Sequence, residues 1–252
     1  MDHPLLRAPG AHPIVIAHRG ASADAPENTM RAFELGFQSA RWLETDVQPT
    51  ADGVPVLLHD DDLDRTTTGR GPVRAAAYAA VAALDAGSWF SAHHARTRVP
   101  TLSALLGALP HDCSVLLEIK GPHTDEQLAA VLAVVESSDA DGRVVLQSFE
   151  RDELARLHAM RPDRPFGLLT VEWDDDPVAA CAAYGAIVYN PWFGLLQGRE
   201  RDLGRLHAAG IGSAPYTVDE PADWQWLTDM GIDAIITNRP AALSDWLATA
   251  RS

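Results

Sequence analysis

The chain has 252 residues, 46% of them hydrophobic, enough for one large α/β barrel or for two smaller domains. Its formal net charge of −15 excludes the basic surface that nucleic-acid phosphates require, so an anionic ligand must be neutralised locally, by a metal or by a few placed cations. The two cysteines, Cys113 and Cys181, lie far apart in no metal-ligand spacing, which argues against a disulfide framework or zinc site and for a reduced compartment.

The first residues, MDHPLLRAPGAHP, contain no apolar core of signal-peptide length. No window approaches the run of about 18 apolar residues that a membrane span needs. The chain is therefore read as cytoplasmic, without stable membrane insertion. Ile14-Val15-Ile16-Ala17 is a β-branched run of strand length that stops at His18-Arg19-Gly20. A turn-rich stretch ending in Pro26-Glu27-Asn28-Thr29 follows, and then a helix over 30–40, capped by Asn28 or Thr29. In Trp42 to Gln48, Trp42, Glu44 and Asp46 alternate with Leu43, Thr45 and Val47, the mark of a strand. The turn at Asp52-Gly53 leads into a second extended piece that ends at His59-Asp60, a hairpin-like extension of the same strand.

Residues 60–100 break the rhythm and read as an inserted subdomain or a functional loop. From Thr101 the βα alternation resumes. Helices are expected over 102–109, 124–137, 151–160, 176–184, 199–209, 221–230 and from Pro240 to the C-terminus. Asp219 begins the helix at 221, and Asn238 is read as the cap of the last one. Strands are expected over 114–119, 144–149, 166–170, 186–189, 212–218 and 234–237. With the two before them, that makes eight βα units, the size of a TIM barrel; a doubly wound open sheet shares the same local pattern. There is no composition break to mark a second domain across 1–252, no low-complexity segment, and no feature that points to an oligomeric state.

Polar residues end most of these strands: His18-Arg19, Glu44 and Asp46, His59-Asp60, Glu118 and Lys120, Gln147-Ser148, Asn190, Tyr216 and Asn238. In a barrel they converge on the C-terminal rim. Glu44 and Asp46 are two apart and share a face, as do Glu118 and Lys120. Carboxylates on strands built for burial are costly unless paired or metal-bound, and an all-oxygen set favours Mg²⁺ or Ca²⁺ over zinc. Two strand-end histidines beside such a metal suit a general base and a general acid, with Arg19 and Lys120 where phosphate oxygens would sit. The residues thus read as metal-assisted displacement at a phosphate. Each signal alone has a plainer reading: a lone strand-end histidine is a surface residue, a Glu-x-Asp pair a solvated face, Glu118-x-Lys120 an ion pair, Asp60 to Asp64 a solvated acidic loop, and the tryptophans core or helix-face residues.

Several segments resemble, in order, the glycerophosphodiester phosphodiesterase family: AHRGASADAPENT (17–29), ETDVQ (44–48), LHDDDLDRTTTGRG (58–71), VPTLSALL (99–106), LLEIKGP (116–122), QSF (147–149), PYTVDEP (215–221) and GIDAIITNRP (231–240). The resemblance implies a TIM (β/α)8 barrel with a small insertion after the second strand. It implies a divalent metal, Mg²⁺ or Ca²⁺, on Glu44, Asp46 and Glu118, and His18 and His59 as the acid–base pair. Arg19 and Lys120 would contact the phosphate, with Glu27 in support. The implied reaction is hydrolysis of a small glycerophosphodiester to an alcohol and sn-glycerol 3-phosphate, in glycerophospholipid catabolism. Tyr216 stands where family members often have Trp and would form an aromatic wall of the substrate site; Asn238 stands where Asp is frequent. Two other readings stay in view: a phospholipase D-like enzyme acting on lysophospholipid or sphingomyelin, and a non-catalytic binder on the same barrel.

Overall fold

The computed structural model describes residues 5–8 and 10–249. The first strands are β1 (Ile14–His18), β2 (Trp42–Pro49) and the short β3 (Pro55–Leu57); β4 (Ser114–Ile119), β5 (Val144–Ser148), β6 (Phe166–Thr170), β7 (Ala186–Pro191), β8 (Gly212–Ser213) and β9 (Ala234–Thr237) follow. Helices α1 (Met30–Gly36), α2 (Tyr78–Val81), α3 (Leu102–Ala108), α4 (Asp125–Glu136), α5 (Arg151–Met160), α6 (Pro177–Ala183), α7 (Glu200–Ala208), α8 (Pro221–Met230) and α9 (Pro240–Thr249) lie between and after them. The expected end of the last helix at the C-terminus lies outside the described residues.

The strands run in the order β8-β7-β6-β5-β4-β2-β1-β9, and every neighbouring pair is parallel. The two ends of this sheet approach each other through Val218 N–H to the carbonyl of Ile236 (2.9 Å) and Ile236 N–H to that of Pro215 (3.1 Å). The result is a nearly closed barrel of eight parallel strands, and the open doubly wound sheet is excluded. The strand expected over 212–218 is regular only at Gly212–Ser213. Pro215 has no N–H for the ladder, and from there single hydrogen bonds such as Tyr216 N–H to Pro191 replace the regular pattern.

Alternation sorts the strand residues into two cores. Leu43, Val47, Leu117, Leu146, Leu168 and Ile235 face outward and pack with helix residues such as Phe33, Leu128, Leu154, Leu206, Leu227 and Leu243. Ile16, Trp42, Leu116, Val145, Val188 and Ala234 face the lumen, where they cluster with Leu5 and no helix residue. Each Val, Leu, Ile or Phe among them contributes roughly 1.5–3 kcal/mol on burial. Trp42 therefore belongs to an apolar floor, and Glu44 and Asp46, two and four residues further along β2, rise above it on the same face. This floor offsets the several kcal/mol that each buried charge above it costs.

β3 folds back antiparallel on the end of β2, pairing Val47 with Leu57 and Pro49 with Pro55. Beyond it, residues 58–101 form short helical turns around a small core of Val56, Leu58, Leu63, Val73, Val81, Ala86 and Val99. Arg74 in this insertion donates to the carbonyl of Pro122 (2.7 Å) and to that of Lys120, tying the insertion to the end of β4.

Helix starts follow the expected chemistry in part. Thr29 caps α1, and Thr124 with Gln127 makes a reciprocal capping box on α4. Asn238 and Asp219 do not act as caps: Asn238 bonds to His18, and Asp219 accepts from Thr237 and Asn238. No described helix is long and apolar enough to cross a membrane.

The turn after β1 depends on glycine. Gly20 has φ +86°, and a Cβ there would lie 2.5 Å from the backbone carbonyl carbon of Ala32 in α1. Gly20→Ala is expected to lower stability by about 2 kcal/mol or more through left-handed strain and this clash. A thermal or denaturant melt checks it, and a wild-type midpoint would contradict the packing described.

Candidate active site

β1 ends on His18, and Arg19 adopts φ +53° before Gly20. This turn points the Arg19 backbone N–H at Glu44 Oε2 (3.1 Å) and brings its guanidinium Nε within 3.3 Å of Asp46 Oδ2. Asn28, also left-handed at φ +54°, reaches back from the start of α1. Its Nδ2 donates to Asp46 Oδ2 (2.8 Å), and its Oδ1 accepts from the Thr45 hydroxyl (2.7 Å).

Glu44, Asp46 and Glu118 are buried, and one oxygen of each lies within 4.8 Å of the others. Register explains the meeting: Asp46 on β2 sits beside Glu118 on β4. Burial, then the charges of Asp46 and Glu118, push Glu44 well above the ordinary carboxylate range. Burial and Asp46 push Glu118 up to about 8. Burial also acts on Asp46, but Arg19, then His59 and Lys120, outweigh it and hold that carboxyl below its usual value. A divalent cation fits this set on the structure's own terms. All donors are hard oxygens, and Asp46 Oδ1 is buried with no hydrogen-bond partner while Oδ2 is taken by Asn28. Lys120 Nζ lies 2.8 Å from Glu118 Oε1 and 3.9 Å from Asp46 Oδ1.

The histidines sit on separate elements. His18 Nδ1 is 2.6 Å from Asn238 Oδ1, and its Nε2 is 3.7 Å from Glu44 Oε2. Burial, then the neighbouring Arg19, lower its pKa to about 4. His59 follows β3, and its Nδ1 is 2.7 Å from Asp60 Oδ1. Burial lowers this imidazole too, against an opposing pull from Asp46. Asp60 is in turn gripped by Arg65, at 2.6 Å from Nε and 2.8 Å from a terminal nitrogen. Arg65 bonds Glu27 through both its terminal nitrogens at 2.8 Å, and Glu27 accepts from Arg19 at 2.7 Å. Charges of alternating sign thus run Asp60–Arg65–Glu27–Arg19–Asp46, joining the insertion to the barrel. Arg65 is 44% exposed, so these pairs add little stability, but they fix the orientation of His59 and Arg19.

These groups open onto one cavity of about 360 Å³. His18, Arg19, Glu44, His59, Glu118 and Lys120 line one half, all from β1, β2, β4 and the segment after β3. Gln147, Phe149, Leu169, Trp192 and Tyr216, from β5 to the segment after β8, line the other half, which carries no charged group. Asp46 lies behind the charged half. The Tyr216 hydroxyl donates to the carbonyl of Thr170 (2.9 Å), and its ring meets Phe149 edge-on with centroids 5.7 Å apart. The site residues read from the sequence thus come together, Tyr216 on the side opposite the charges.

Other members of the site depart from what their sequence context indicates. Asp60 is no solvated loop residue but the partner of His59, a role signalled only by its adjacency. Trp192 is 47% exposed and lines the cavity rather than a core. Asn28 and Arg65 lie inside the quoted motifs, yet nothing local indicates which carboxylate each serves. The expected ion pair of Glu118 and Lys120 is present within the site itself.

Residues 18–242 match the family model described as the glycerophosphoryl diester phosphodiesterase family. The glycerophosphodiester phosphodiesterase of Bacillus subtilis is 32% identical over 248 residues, covering 90% of this chain and 84% of its own. A phosphodiesterase of Oleispira antarctica, solved in complex with the product sn-glycerol-3-phosphate, superposes with a TM-score of 0.87 at 27% identity over 94% of this chain and 97% of that one. The glycerophosphodiester phosphodiesterase of Agrobacterium tumefaciens gives 0.83 at 29% identity over 92% and 99%. By the span of the family model and the identity to a relative covered over most of its length, the chain belongs to the glycerophosphoryl diester phosphodiesterase family.

Proposed function

We propose that this chain hydrolyses small glycerophosphodiesters to an alcohol and sn-glycerol 3-phosphate, with His18 and His59 as its acid–base pair. One observation carries the reading: two imidazoles, two cations and two buried carboxylates line one cavity, with the third carboxylate of the cluster, Asp46, behind them. The product named for the Oleispira antarctica structure is the one this reaction would release.

The chemistry divides between the residues. Arg19 and Lys120 hold the phosphate oxygens, and their own ties to Asp46, Glu27 and Glu118 keep them in place. The glycerol 2-hydroxyl attacks phosphorus as one imidazole takes its proton. The bond from phosphorus to the leaving alcohol breaks as the other imidazole gives that oxygen a proton. Water then opens the cyclic phosphate, with the two imidazoles in exchanged roles. Glu44, Asp46 and Glu118 would hold Mg²⁺ or Ca²⁺, which when bound supplies Lewis-acid polarisation of the phosphoryl group. Tyr216, Phe149 and Trp192 shape the place of the leaving alcohol. Such a water-soluble diester suits a cytoplasmic enzyme of glycerophospholipid breakdown working as one barrel domain with its insertion.

A substrate panel tests the proposal. Glycerophosphocholine and glycerophosphoethanolamine are expected to release glycerol 3-phosphate, read by a coupled dehydrogenase. Lysophosphatidylcholine is expected to be turned over at least about tenfold more slowly, because a cavity at the small end of the usual range leaves its acyl chain in water. Cleavage of lysophosphatidylcholine alone would favour the phospholipase D-like reading, and binding without turnover the non-catalytic one.

A further inference from the structure

We propose that Asn238 and Asp219 are positioning residues that hold His18 in a single tautomer, with the proton on Nδ1 and the Nε2 lone pair presented to the cavity. The inference rests on His18 as half of the acid–base pair proposed above.

Asp219 lies in the segment leading into α8. Its Oδ1 accepts from the Thr237 hydroxyl (2.9 Å) and from the backbone N–H of Asn238 (2.8 Å), so the carboxylate is fixed against the end of β9. Its Oδ2 lies 2.6 Å from the side-chain amide of Asn238. An ionised carboxylate only accepts, so the amide must present its NH₂ group there. The reverse orientation would set two acceptor oxygens at that distance. With Nδ2 committed to Asp219, Asn238 Oδ1 faces His18 Nδ1 at 2.6 Å. An oxygen acceptor at hydrogen-bond distance requires that Nδ1 carry the proton. The neutral ring then has its free lone pair on Nε2, the nitrogen that lies 3.7 Å from Glu44 Oε2 at the cavity wall.

Ser22 agrees with this orientation. Its hydroxyl is 2.7 Å from Asn238 Oδ1 and 2.8 Å from the carbonyl of His18, two acceptors that its one proton can serve in turn. Asp219 is absent from the lining of the main cavity, and its hydrogen bond toward His18 runs through Asn238. His59 is held by the other route, a carboxylate directly on Nδ1. The two rings therefore differ in kind, one backed by a neutral amide and one by an anion.

Long-range ¹H–¹⁵N spectra of histidine-labelled protein at neutral pH read the tautomer directly, with His18 assigned by difference from His18→Gln. The expected signal is Nδ1–H with an unprotonated Nε2. Asp219→Ala frees the Asn238 amide to turn, so mixed tautomers are expected, with kcat lower by about tenfold or more and KM within about twofold. The double exchange of Asp219→Asn with Asn238→Asp keeps an acceptor against His18 and a donor behind it, and is expected to restore the tautomer and most of kcat. An Nε2–H tautomer in the unaltered protein overturns the proposal whether or not Asp219→Ala folds. Unchanged tautomer and kcat in a folded Asp219→Ala protein also overturn it. The spectrum needs no substrate, so a chain with the expected tautomer that cleaves no glycerophosphodiester refutes the proposed function alone.

Discussion

Removing divalent cations with a chelator is expected to abolish turnover, and Mg²⁺ or Ca²⁺ to restore it. The physical ground is the packing of Glu44, Asp46 and Glu118 within 4.8 Å of one another in a buried site. Two unit charges about 4 Å apart interact at roughly 4 kcal/mol for an effective dielectric near 20, so three ionised carboxylates need more neutralisation than one guanidinium and one ammonium provide. A bound cation stabilises the folded chain by mass action, by about 2.7 kcal/mol at a hundred times Kd. The rise in melting temperature with added cation is therefore a readout independent of activity. Glu44→Gln should erase that rise and most of the turnover while leaving the cation-free protein as stable or more so, because a buried acid has become a neutral amide. Full activity after chelation, or a cation-induced rise undiminished in Glu44→Gln, would sink the metal assignment.

His18→Ala and His59→Ala are each expected to lower kcat by about two to four orders of magnitude, the span of general acid–base catalysis. Their effects should not multiply in the double variant, since one transition state uses both proton transfers. The two differ in stability. His59 is partly exposed and leaves Asp60 still held by Arg65, so its loss should barely move the melting temperature. His18 is more buried, and its removal leaves Asn238 Oδ1 with Ser22 as donor, a cost of about 1 kcal/mol for the lost hydrogen bond. Kinetics must therefore be measured well below the variant's own melting point. Near-wild-type turnover in either variant would mean that histidine is misassigned.

Much of this architecture is legible in the chain because parallel strands are buried on both faces. Ile14 to Ala17, Ser114 to Ile119 and Ala234 to Thr237 read as short apolar runs, and polar residues at their ends stand out against them. The same contrast exposes Glu44 and Asp46, since β2 alternates acid with apolar or β-branched residues. What escapes is whatever depends on contacts between distant segments. Asn238 and Asp219 carry the residue types of helix caps, and both immediately precede helices, so local chemistry points to capping. Their true partners lie 220 residues away at His18 and 19 apart between themselves. The strand after Ser213 fails for a local reason that only the ladder reveals, a proline without an N–H. Trp192 is misread because a tryptophan's size favours burial unless a cavity requires it at its mouth.

The separation of the cavity into a charged half and a neutral half has an evolutionary consequence. The charged groups that line the cavity come from β1, β2, β4, the turns that follow them and the start of the insertion. The uncharged contour of the cavity, the proposed place of the alcohol, comes from β5 to β8 and the loops after them. Under the proposed reading a lineage can exchange Trp192 or Tyr216 and explore new alcohols, whereas Phe149, with Lys120 Nζ 5.8 Å from its ring centroid, is tied to the charged half. Drift on the opposite half has no such freedom, since Arg19, Glu27, Asp46, Asp60 and Arg65 are joined in one line of contacts that reaches His59 through Asp60.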